Sequence, residues 1–370
     1  MRTSLVHNSL LPTTDGFITE WTIPGETVFT LPLRAGYNYN FTVDWGDGEP
    51  IDTITSYDDP NASHGYRPGG TFQIKIVGTF ETLYVNNGSV KTYLNKVIQW
   101  GNVGFTSFNG TFYGCSNLTD LPSGSITNAN SITSIGGCFR ACTSLEFIPV
   151  GLFDNCSSVT AIATLFYDCS SLITIPSGLF DSITEVTVIG WIFKGCSSLT
   201  SIPSGLFDSF TKATNAQLIF YQSGLTSVPS GLFDNCTLIT NFSGLFMECF
   251  DLASLPSGLF DYNILVENFS GCFDWNTSLT AIPPNIFDNC VDVLDFSTCF
   301  WTCSALTSIP AGLFDNCVNV ITYASCFKSC VSLTGDVPEL WDLVPEPTGT
   351  LCFNGCTGVD NYGDIPADWK

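Results

Sequence analysis

Seven aspartates, Asp154, Asp181, Asp208, Asp234, Asp261, Asp288 and Asp315, return at steps of 27, 27, 26, 27, 27 and 27 residues. Carboxylates at so regular an interval could line a stripe for calcium, or could accept backbone N–H groups at the start of the turn that follows each one. Two charges about 5 Å apart repel by roughly 0.8 kcal/mol in bulk water, and by several times that when partly buried. The column is therefore expected at the solvent edge, with the N–H-accepting role as its main one and calcium as the alternative.

Other residue types that could do chemistry are unevenly supplied. The acids Asp44, Asp47, Asp58 and Asp59 form a second calcium candidate, set against a turn-forming role in a Gly-rich segment. The aromatic residues Tyr167, Trp191, Tyr221, Trp275, Trp301 and Tyr323 could make a stripe that binds carbohydrate or protein. The only histidines are His7 and His64, so a Ser-His-Asp or Cys-His arrangement lacks raw material. Nothing singles out a carboxylate pair for glycoside hydrolysis, and the Gly-rich segments lack a phosphate-loop lysine. The chain is expected not to be an enzyme and to need no cofactor other than possible calcium.

The elements that would position these residues are repeats. A phenylalanine precedes each aspartate of the column: Phe153, Phe180, Phe207, Phe233, Phe260, Phe287 and Phe314. A second column runs through Phe112, Phe139, Phe166, Phe193, Phe220, Phe246, Phe273, Phe300, Phe327 and Phe353. A self-similar period of this length marks a stacked architecture in which each unit buries its apolar face only against its neighbours. The seventeen cysteines follow the same period, lying three residues after a Phe or just before one. Other residues take the same slots, among them Ile183, Phe210, Ser223, Asn263 and Asn276. The cysteines are therefore expected as buried free thiols rather than a disulfide framework. The Phe-to-Cys spacing suits one turn of helix, and one short strand per coil should join a parallel sheet.

Upstream, from Phe17 to Val85, short alternating stretches such as Phe-Ile-Thr-Glu-Trp-Thr-Ile read as strands of a small β-sandwich, with Trp45 in its core. Val43-Asp44-Trp45-Gly46-Asp47-Gly48, followed by His64-Gly65-Tyr66, resembles the signature of PKD-type immunoglobulin-like domains. The repeats, with their Phe-x-x-Cys-x-Ser-Leu-Thr elements, resemble the BspA-like leucine-rich repeats of bacterial surface proteins, the kind known from mycoplasma lipoproteins. The junction Lys-Val-Ile-Gln-Trp-Gly between the two parts is similar to that family as well. The resemblance implies a mainly β chain: a PKD-like sandwich followed by an LRR-like parallel solenoid of about nine 27-residue coils, working as an adhesion or recognition module.

The expected organisation is an arm at residues 1–16, the sandwich at 17–85, a junction and cap at 86–111, the solenoid at 112–335 and a capping repeat at 336–370. Acids outnumber bases 34 to 11, for a net charge of −23, which opposes nucleic acid and anionic membrane surfaces. The amino terminus has no apolar core of signal-peptide length, and no stretch reaches membrane-spanning length. The expectation is a protein folded inside a cell and displayed on a phage virion, as a capsid decoration, fibre or receptor-binding component. Residues 1–85 would contact other virion proteins, the solenoid would meet a host-surface glycan or protein, and the chain would be a homo-oligomer. A bacterial cell-surface adhesin is the alternative, and a solenoid carbohydrate-active enzyme the third reading.

Overall fold

In a computed structural model, residues 15–370 are described. The expected arm at 1–16 lies outside the described residues except for its last two positions. The front of the chain forms seven strands: β1 (Phe17–Ile23), β2 (Thr27–Thr30), β3 (Tyr39–Asp44), β4 (Asp52–Ile54), β5 (Ser63–Tyr66), β6 (Gly70–Phe80) and β7 (Leu94–Gln99). Alternation of apolar and polar residues puts Phe17, Trp21 and Ile23 of β1, and Tyr39, Phe41 and Val43 of β3, on the buried face. Five strands pair antiparallel in the order β4-β3-β6-β1-β7, and β2 pairs with β5 in a second sheet. Phe29 of β2 packs against Trp21 of β1 at 5.0 Å and Trp45 at 6.3 Å between ring centroids.

The pairings of the larger sheet extend past residue 85. β7 lies within residues 86–111, expected as a junction and cap, and it pairs along β1 at the edge of the larger sheet. The sheet also passes directly into the coils, because Lys96 of β7 forms a parallel bridge with Asp120.

From there the chain winds into stacked coils. The second-column phenylalanines form one continuous stack from Phe112 to Phe353, with centroids 5.3–5.9 Å apart. The stack continues into the sheets through Phe108, Phe105 and Phe17. Burying each ring contributes about 1.5–3 kcal/mol, which makes this spine the main cohesive element of the rod.

The coils are less regular than strand plus helical turn. Successive coils share single parallel bridges, such as Asn215 to Asn241 and Asn241 to Asn268, in place of strands. The Phe-to-Cys step is a turn with an i→i−3 bond, as in Cys142 N–H to Phe139 O at 3.0 Å, and no α-helix occurs among the described residues. The reason is the backbone: the residues two before and two after each second-column Phe take left-handed φ, including Thr164 (61°), Trp191 (59°), Asp168 (58°) and Trp275 (59°). Alternating right- and left-handed residues turn successive N–H groups to one side. Thus Gly137, Phe139 and Ala141 each donate to the next coil, at 3.0, 3.0 and 2.7 Å. On another side of the coil the direction reverses, as in Thr160 N–H to Thr133 O at 3.0 Å.

All seventeen cysteines are buried and unpaired. Their thiols have a specific use: Cys169 Sγ donates to Phe139 O at 3.0 Å, Cys249 to Phe220 O at 3.1 Å and Cys330 to Phe300 O at 3.1 Å. The polar replacements work similarly, since Asn263 Nδ2 donates to Phe233 O at 3.2 Å and Ser223 Oγ meets Cys249 Sγ at 3.2 Å. Burial pushes these thiols up, to about 11 for Cys356 and about 12 for Cys156, Cys236, Cys249 and Cys317. Because the thiolate is the reactive form, iodoacetamide at pH 8 is expected to leave all seventeen unmodified in the native protein and to alkylate all of them in urea. Several fast-reacting thiols in the native state, counted by intact mass, would contradict this burial.

Candidate functional site

The aspartate column sits where repulsion requires, at or near the surface in every coil. Its expected N–H-accepting role is not observed. The N–H groups of the following turn are used locally, as in Cys156 N–H to Phe153 O at 3.0 Å. In six of the seven coils the carboxylate instead folds back under the glycine three residues earlier, leaving little room for a side chain there, while Asn285 takes that place before Asp288. A Cβ on Gly151 would lie 2.8 Å from Asp154 Oδ2, and one on Gly258 2.7 Å from Asp261 Oδ2. The capping role belongs to a column absent from the expectations. Asn215, Asn241, Asn268, Asp295 and Thr322 each accept the N–H two residues on, at 3.0, 2.8, 2.7, 2.7 and 3.1 Å.

Burial, then Asp261 and Asp208, raise the Asp234 carboxyl above the usual range. An acid raised in the folded state favours folding most at low pH, and that contribution is lost as pH rises through its folded value. Asp234→Asn is therefore expected to raise the melting temperature by about 1–2 °C at pH 7 and to leave it unchanged at pH 3. An equal shift at both values would rule out the charge as the cause.

The four front acids do not converge. Asp44 Oδ1 accepts Gly46 N–H at 3.0 Å, Asp47 Oδ1 accepts Glu49 N–H at 3.1 Å, and Asp59 Oδ1 and Oδ2 accept the N–H groups of Asn61 and Thr55 at 3.0 Å each. Asp58 lies within the turn closed from Thr55 to Asp59 but accepts none of these N–H groups. Asp47 Oδ2 also meets His64 Nε2 at 2.7 Å, and the His64 ring stacks on Trp45 at 4.9 Å. Among the described residues no three His, Cys, Asp or Glu side chains form a group able to hold a metal ion.

The aromatic stripe is divided among different positions of the coil. Tyr323 is a core residue, fully buried and stacked on Phe296 at 5.7 Å, because it falls four residues before its column Phe, in register with Phe242, Phe269 and Phe296. Trp191 and Trp275 occupy left-handed corners, and Trp275 is 41% exposed. Tyr167, Tyr221 and Trp301 share one position, directly after the second-column Phe.

That position carries the most organised surface chemistry of the solenoid. Successive coils place there Tyr113, Arg140, Tyr167, Lys194, Tyr221, Met247, Asp274, Trp301 and Lys328. The Arg140 guanidinium lies 4.8 Å from the Tyr113 ring and 4.5 Å from that of Tyr167. The Lys194 ammonium lies 4.9 and 4.6 Å from the rings of Tyr167 and Tyr221, and that of Lys328 lies 5.4 Å from Trp301. Cations are thus threaded between rings, an arrangement worth roughly 0.5–1 kcal/mol per contact at exposed sites. Three of the five bases after residue 112 stand in this column. Beside it lie two separate shallow depressions floored by small residues, about 300 Å³ near Gly136 and Gly137 and about 320 Å³ near Gly244 and Gly271.

No family model matches the chain, and no curated protein matches it either. Among solved structures, two forms of the Toll–Spatzle complex, titled as a molecular hub in Drosophila development and innate immunity, are similar at 18% identity over 66% and 68% of this chain, each with a TM-score of 0.27. A TLR13–ssRNA13 complex is similar at 10% identity over 67% of it, with a TM-score of 0.17. This chain spans 40%, 34% and 47% of those three chains, less than half of each.

Proposed function

We propose that the chain is a non-enzymatic recognition protein displayed on the surface of a phage particle. Its solenoid, of the BspA-like leucine-rich-repeat kind, is the recognition rod. The paired front sheets, read as PKD-like, belong with residues 1–85 to the part that docks on other virion proteins, in a homo-oligomer. The observation that carries the recognition reading is the cation–aromatic column from Tyr113 to Tyr221. Its rings and charges are held in place by backbone bonds between coils, so a ligand meets a surface that needs little ordering. Flat rings alternating with donors suit a host-surface glycan or an acidic protein patch. The acidity elsewhere keeps neighbouring rods apart.

A bacterial cell-surface adhesin is the second reading, favoured by the likeness of the repeats to those of bacterial surface proteins. Immunogold labelling and mass spectrometry of purified particles and producing cells separate the two. Gold on virions is expected, on head or tail according to the role. Gold confined to cell envelopes would overturn the virion reading and leave the adhesin. Recognition is tested separately with Arg140→Ala and Lys194→Ala together, which should cut binding to host cells at least tenfold while the protein stays folded. Undiminished binding would overturn the column as the recognition surface.

A further inference from the structure

Asp274 breaks the cation–aromatic column. It stands between Met247 and Trp301, its side chain is buried with the residue 2% exposed, and its Oδ1 has no hydrogen-bond partner. The ion pairs among the described residues, His64–Asp47, Lys96–Asp120 and Lys212–Glu185, do not include it. Glu248 of the preceding coil donates its backbone N–H to the Asp274 carbonyl at 2.7 Å. The Glu248 carboxylate in turn accepts Tyr221 Oη at 3.2 Å and Gln222 Nε2 at 2.8 Å. Asp274 lines the second of these depressions together with Ser243, Ser270 and Ser297.

We infer that this depression binds an alkylammonium group, seated against the Asp274 carboxylate and beside the hydroxyls of Ser243, Ser270 and Ser297, with Glu248 adding negative charge from the neighbouring depression. A buried carboxylate with an unpaired oxygen is costly, and a second carboxylate nearby makes it more so. A proton or a cation relieves that cost. Burial, then Glu248, push the Asp274 carboxyl up to about 7, so at slightly alkaline pH it is ionised with no ion-pair partner among the described residues. The titratable groups nearby are Glu248 and Tyr221 on the preceding coils, while Lys328 lies against the Trp301 ring. Three small hydroxyls and one carboxylate lining a small depression suit a compact point charge better than a planar guanidinium. A lysine side chain of a partner protein and a free polyamine share this chemistry. The inference goes beyond the recognition reading, whose ligand meets the cations of the column, and adds a separate place that takes a cation. The binding test uses purified full-length chain, so failure of the virion assignment would leave its outcome unchanged.

The test is calorimetric titration with N-acetyl-lysine methylamide, with spermidine and with calcium chloride. Both amines are expected to bind at pH 8 and to bind about thirtyfold more weakly at pH 5.5, as Asp274 takes up its proton. Asp274→Asn should weaken binding at least tenfold and Glu248→Gln severalfold. Binding of the lysine amide as well as spermidine supports a protein partner, and binding of spermidine alone supports a polyamine. If Asp274→Asn fails to fold, the pH dependence of the unaltered chain and the Glu248→Gln variant still decide. No amine binding at about 20 mM, undiminished binding by Asp274→Asn, pH-independent binding, or preferential binding of calcium would overturn the inference.

Discussion

Replacing Phe220 by alanine is expected to destabilise the protein by about 3–5 kcal/mol in urea unfolding, the range for emptying a buried aromatic site. Phe220 is fully buried in the middle of the stack, 5.8 Å from Phe193 and 5.5 Å from Phe246, nearly parallel to both, and 6.1 Å from Phe207. Its carbonyl also receives the Cys249 thiol, so a shift of the backbone around the cavity would disturb a second interaction. In a stacked array each coil is stabilised mainly by its two neighbours. The loss should therefore divide the rod into two cooperative parts, seen by hydrogen exchange as faster opening of the coils flanking residue 220 than of either end. Phe220→Leu should retain more than half of the lost stability. A cost below about 1 kcal/mol for the alanine variant would mean that the stack is not what holds the coils together.

Deleting residues 364–370 is expected to convert soluble protein into aggregates. The last turn covers the end of the stack: Trp369 is 1% exposed, packs against Trp341 at 6.1 Å, and lies over Gly349, where a Cβ would be 2.1 Å from the indole. Leu351 and Phe353 donate their N–H groups to Asp368 O and Trp369 O at 2.7 and 2.8 Å. Those are the bonds that every earlier coil makes to the next one. Truncation would leave them, and the apolar face beside them, open to another chain. Sedimentation should show large species for the truncated protein, while Trp369→Phe, which keeps the backbone and most of the ring, stays as the parent does. An unchanged sedimentation profile after truncation would show that the end needs no cover.

Much of this architecture could be read from residue types and intervals, because phenylalanine in a fixed column has few uses other than filling a core. The shortened step of 26 is equally physical. Phe220 is followed by Tyr-Gln-Ser-Gly where Phe193 has Lys-Gly-Cys-Ser-Ser, and Gly224 sits where a Cβ would be 2.3 Å from Ser197 O. Other features were hidden because residue type does not report direction. Tyr323 and Tyr221 look alike along the chain, yet only their distance from the column Phe puts one in the core and the other at the surface. The Asp after each first-column Phe and the Asn, Asp and Thr of the 215–322 column are all plausible caps. Which of them meets an N–H depends on the left-handed corners, and those occur at Thr, Trp, Asp and Glu as well as glycine. The cation–aromatic column could have been found by asking where the few bases fall rather than how many there are. The burial of Asp274 leaves no trace in its neighbours' identities.

The spine of rings also bears on how such a protein changes over generations. Each coil presents its successor with the same Phe face and the same row of N–H donors, and special residues are needed only where the sheets begin the stack and where Trp369 closes it. Loss or duplication of one whole unit in the gene therefore joins two surfaces that already fit. Lineages can vary the reach of the rod in discrete steps, while the sheets at one end and the closing turn at the other are inherited unaltered.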